Sequence, residues 1–76
     1  MKRYTVVLTP DAEDGGYVVT VPALPGCVTQ GDTLDEAMAM AKDAIELWIA
    51  TLADRGEPIP EEERAPVVTA IEVARP

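Results

Sequence analysis

Apolar and polar residues alternate from Arg3 to Thr9, with Tyr4, Val6 and Leu8 on one side and Thr5, Val7 and Thr9 on the other. A period of two in so β-branched a segment predicts a strand. Pro10 to Gly16 is polar and turn-forming, and Gly15-Gly16 after Asp14 can supply the positive φ of a tight hairpin. A second strand is predicted over Gly16–Val21, with Tyr17, Val19 and Val21 facing one way. Pro22 ends it, because proline has no N–H to donate to a ladder. Pro25-Gly26 reads as the middle of a turn, and Cys27–Gln30 as a short third strand that continues the meander.

The period then changes. Leu34, Ala37, Met38, Ala41, Ala44, Ile45, Trp48, Ile49 and Leu52 recur at steps of three and four, the stripe of an amphipathic helix over Thr33 to about Arg55. Thr33 and Glu36 form a capping box at its start, and Asp35 and Glu36 complement the positive end of the helix dipole. Gly56 stops the helix, with Pro58 and Pro60 beyond. Glu61-Glu62-Glu63-Arg64 is a solvated connector, and Pro66 opens a final strand, Val67–Val73. The predicted fold is α+β with order β-β-β-α-β: an antiparallel meander, one long helix on the sheet and a last strand.

One helix can roof only one face of such a sheet. Val7, Val18, Val68 and Ala70 are expected on the other face, which is too apolar for a solvated surface. Another subunit or a partner should cover it. The chain, 76 residues read as one domain over 1–76, is short enough to need such support, since a domain of this size buries only about 60% of its unfolded surface. Its single cysteine rules out an internal disulfide, and the lack of histidine makes a structural zinc site an unattractive reading.

Charge narrows the partner. The chain carries a formal −8 with only six Lys and Arg, which disfavours direct binding to nucleic acid and favours a basic partner. Asp11, Glu13 and Asp14 form an acidic loop tip beside Tyr17, a candidate contact patch with an aromatic anchor. The longest apolar run, Ala37–Ala41, is too short to cross a bilayer, and no apolar segment follows the basic N-terminus as in a secretion signal; a cytoplasmic protein is expected.

Catalysis finds little support. There is no serine or histidine, so Ser-His and Cys-His nucleophiles are impossible, and Cys27 reads as a small buried hydrophobe. Asp11, Glu36 and Glu72 do not form an obvious converging set for two-metal chemistry. Dinucleotide and P-loop glycine patterns are missing, so no cofactor is expected. Trp48, on the helix stripe, reads as core or subunit packing.

Tyr4-Thr5-Val6-Val7-Leu8, Gly15-Gly16-Tyr17-Val18-Val19, Val21-Pro22-Ala23-Leu24-Pro25-Gly26-Cys27, Thr29-Gln30-Gly31-Asp32-Thr33 and Glu36-Ala37 together resemble the HicB-like antitoxin family. So do the helix, Gly56, Pro58-Ile59-Pro60 and the last strand. The resemblance implies a truncated RNase H-like domain without nuclease chemistry. It implies a partner too, a small basic HicA-type toxin that cleaves mRNA. Many members carry a C-terminal DNA-binding segment, and none is expected in these 76 residues. The expected function is that of an oligomeric (dimeric or tetrameric), non-catalytic antitoxin. The alternatives are a stand-alone homo-oligomer without a toxin and a residual metal-dependent nuclease.

Overall fold

In the computed structural model, which describes residues 2–75, strands β1 (Val7–Pro10), β2 (Tyr17–Thr20) and β3 (Val28–Gly31) precede helix α1 (Leu34–Asp54). The strands form one antiparallel sheet in the order β1-β2-β3, with Leu8 opposite Val19, Pro10 opposite Tyr17 and Val19 opposite Thr29. The meander and the helix therefore stand where the two periodicities put them.

Two i to i+3 turns join β2 to β3: Leu24 N donates to Val21 O at 2.9 Å, and Cys27 N to Leu24 O at 2.9 Å. Between them Leu24 is driven inside, fully buried. Gly26 takes φ +93°, and a Cβ there would press on the Trp48 ring at 3.2 Å. Glycine thus serves both the turn and the close approach of the indole. Thr33 caps α1, its Oγ1 accepting from Glu36 N at 3.1 Å, and Gly56 at φ +67° ends it.

Residue alternation sorts the sheet's faces. Leu8, Tyr17 and Val19 look toward the helix and pack with Ala37 and Ala41, while Val21, Leu24 and Cys27 form a second cluster against Tyr4, Ala44, Ile45 and Trp48. Helix and sheet come close at Gly31, where a Cβ would lie 2.6 Å from the Ala37 Cα. Small residues on both sides of that contact permit it. The core is thin: Val19, Val21, Leu24, Cys27, Ala37 and Ala41 are the buried apolar residues among those described.

β2 and β3 shift by a residue at their ends, β1 starts late and one predicted strand is missing. β1 starts at Val7 rather than Arg3, because β2 ends at Thr20 and its chain turns away over Val21–Leu24. Thr5 therefore has no strand partner; its N–H and Oγ1 both donate to the Glu62 carboxylate, each at 2.7 Å. The predicted last strand, Val67–Val73, does not form: residues 65–75 join no ladder and are exposed throughout. Val68 and Ala70 accordingly do not sit on the sheet face with Val7 and Val18. A helix of 21 residues spans about 31 Å. The molecule's 52 Å long axis is drawn out further by this arm.

Candidate protein-interaction surface

The β1–β2 loop is built around Asp11. Its N–H donates to Gly16 O and its carbonyl accepts from Gly15 N, both at 3.0 Å. Its carboxylate accepts from Glu13 N at 3.0 Å and Asp14 N at 3.2 Å. Asp11 is thus spent on holding the loop, an Asx-type turn, while Glu13 and Asp14 are exposed. Tyr17 is half-buried and packs on the Val19–Ala37–Ala41 cluster, so its ring is as much core as surface. A small polar depression brings Asp11, Asp14 and Tyr17 together with Gln30 and Asp32. Glu13 lies outside it.

Asp32 escaped the sequence reading. The signal was the glycine before it: Gly31 pairs with Tyr17, and a Cβ on Gly16 would come within 2.9 Å of the Asp32 Cα. The hairpin tip and the turn into α1 are therefore packed backbone to backbone. Their carboxylates share one end of the molecule.

The face of the sheet away from the helix carries Val7, Thr9, Val18, Thr20, Val28 and Gln30, as the register requires. Not one is charged. Val7 and Val18 share this face as expected, and Val28, 58% exposed, joins them from β3. Two apolar grooves flank the helix. One, of about 430 Å³, runs between β3 and the C-terminal half of α1 past Val28, Leu47 and Trp48. The other, of about 360 Å³, lies between Tyr4 and Val6 on one bank and Met38, Ile45 and Ile49 on the other.

Charged contacts gather where the connector after α1 meets the N-terminal segment. Lys2 Nζ lies 2.9 Å from Glu61 Oε1, which raises the ammonium pKa and lowers that of the carboxyl. Tyr4 donates its hydroxyl to Pro60 O. The hydrogen bonds from Thr5 hold the Glu62 carboxyl below its ordinary value. Cys27 is buried, and desolvation pushes its thiol up, away from the thiolate needed for reactivity. Glu36 stands in the exposed first turn of α1 and Glu72 on the exposed arm. Among the described residues no three Cys, Asp or Glu are grouped to hold a metal ion, and no helix is long and apolar enough to cross a membrane.

The profile of the HicB_like antitoxin of bacterial toxin-antitoxin systems matches residues 4–72. The chain belongs to this family. It is 55% identical over 58 residues to a UPF0150 protein of Thermoplasma acidophilum, covering 76% of this chain and 83% of that one. It is 45% identical over 58 residues to Antitoxin HicB 1 of Photorhabdus laumondii, 76% of this chain but 37% of the antitoxin. Antitoxin HicB of Escherichia coli K12 is 54% identical over 43 residues, 57% of this chain and 30% of the antitoxin. The chain thus spans about a third of these HicB antitoxins and most of the shorter relative. The matched region contains the strands, the helix and both carboxylate-bearing turns.

Proposed function

We propose that this chain is a non-catalytic antitoxin that binds a small, basic HicA-type ribonuclease toxin and covers the surface with which the toxin grips RNA. The observation that carries the reading is membership of the HicB-like antitoxin family across residues 4–72. Charge supports it, since a protein of net −8 attracts a cationic partner and speeds the encounter. Asp14 and Asp32, with Glu13 nearby, are the carboxylates offered to that partner, and Tyr17 stiffens the patch from behind. Such a protein works in the cytoplasm, where mRNA is cleaved, and touches nucleic acid only through its partner.

The test is to express the chain with a small basic protein encoded beside it, purify the complex, and follow RNA cleavage by that partner. The expected result is a stable complex that suppresses cleavage, weakened when Asp14 and Asp32 are changed together to Asn. No complex and undiminished cleavage would overturn the reading.

A second reading concerns assembly. The uncharged sheet face and the exposed arm favour self-association into a dimer or tetramer, with or without a toxin.

A further inference from the structure

The C-terminal arm is the least satisfied part of the molecule. Val67, Ile71 and Val73 are 88%, 84% and 82% exposed, and they alternate with Val68, Ala70 and Glu72 in the pattern of a strand. A strand with no neighbour leaves its backbone groups to water and its apolar side chains unburied. The sheet has a matching vacancy on its β1 edge. Pro10 sits in β1 opposite Tyr17, and Asp11 N, the next residue, donates toward β2. Pro10 therefore faces outward, as a proline in a strand must. By alternation the N–H and C=O of Val6 and Leu8 face the same free edge.

The groove beside that edge is lined mainly by apolar residues, together with Lys2, Lys42 and Glu46. A strand added to β1 would lay alternate side chains between Tyr4 and Val6 on one bank and Met38, Ile45 and Ile49 on the other. Met38 is 49% exposed there. Tyr4, Val6 and Leu8 all pack toward the core, so the extended edge runs from Tyr4 to Pro10, as long as the arm from Val67 to Val73. The β3 edge, Val28–Gly31, is four residues long, shorter than the arm.

The arm of the same chain is badly placed to fill this site. Thr5 N–H points, by the same alternation, toward the side of β1 that β2 occupies, and there it meets Glu62. The following residues, up to Pro66, line a depression with Pro22 and Ala23 beyond the end of β2. The arm thus departs from the flank of β1 opposite its free edge. The arm is the part of this acidic chain that another copy repels least: residues 2–63 hold thirteen acidic and four basic side chains, whereas the arm adds Arg64 and Arg75 to a single Glu72.

We propose that two copies of this chain exchange arms, Val67–Val73 of each adding as a strand to the β1 edge of the other, with Ile71 seated in the groove beside Met38. This rests on the self-association read above and supplies its route. The fourth strand read from the sequence then exists, but on the neighbouring molecule.

The test uses the full chain. Light scattering should give a dimer. In a sample mixed from one copy with labelled Ile methyls and one with labelled Met methyls, a contact between Ile71 and Met38 should appear between copies. Ile71→Asp should raise the dimer dissociation constant at least about tenfold while the helical circular dichroism and the Trp48 fluorescence stay unchanged. A monomer at all concentrations would overturn both self-association and exchange. A dimer without the intermolecular contact, or one indifferent to Ile71→Asp, would overturn the exchange alone. So would a contact found only within one copy, or an arm that becomes ordered solely on a basic toxin.

Discussion

Gly31 shows how much can rest on a missing side chain. It is buried, it pairs with Tyr17, and its Cα faces the backbone of Ala37 across a close helix–sheet contact. In Gly31→Ala the added methyl has only backbone to push against, so helix and sheet must separate. Overpacking of that kind costs about 2 kcal/mol. For a domain of this size it should lower the melting temperature by roughly 10 °C, read by thermal circular dichroism. The sequence marks Gly31 only as part of the Thr29–Thr33 stretch of the family resemblance, because nothing along the chain shows which residue will stand over it. Cys27 is the opposite case. A lone thiol between a Pro-Gly turn and a strand read as a small hydrophobe, and it is one.

Among the elements, α1 was the most legible. Its stripe, its Thr33 cap and its Gly56 stop are local properties, set by spacing and by the orphan amides of a helix end. Thr33→Ala removes the hydroxyl that accepts from Glu36 N and should cost about 1 kcal/mol, measured as a shift in the urea midpoint at unchanged slope. Strand β1 was legible in its alternation and not in its start. Tyr4 and Val6 keep the alternation and pack on the core, yet ladder pairing begins only at Val7 because the partner strand has already turned away. The last strand does not form, for a related reason. A β-branched alternating segment declares that it can be a strand; whether an edge lies within its reach depends on where Glu62 pins the chain.

That pin predicts an acid sensitivity in the docking of the connector. Glu62 holds the connector to Thr5, and its carboxyl titrates below the ordinary value of 4.5 because Thr5 donates to the charged form. A depressed folded pKa stabilises the docked state above 4.5, and that contribution fades as pH falls through the lower, folded value. The Lys2–Glu61 pair acts in the same direction from the Glu61 side. Acidification from neutrality to below 4.5 should therefore release the connector, seen as a collapse of the Thr5 amide shift toward its random-coil position, and Glu62→Gln should flatten that dependence. The acidic patch was only partly legible: Asp14 was read from the loop, whereas Asp32 joined it through the packing of two glycines. By itself the sequence determined everything that acts over a few residues: the strands' alternation, the turns, the helix with its ends, the acidic balance and the family. Tertiary structure alone decided which faces meet, that Val28 rather than Val68 and Ala70 joins Val7 and Val18 on the outer sheet face, that Asp11 is consumed by its own loop, and that Glu62 rather than a strand partners Thr5. Those are relations between residues far apart in the chain, created only when the backbone closes on itself.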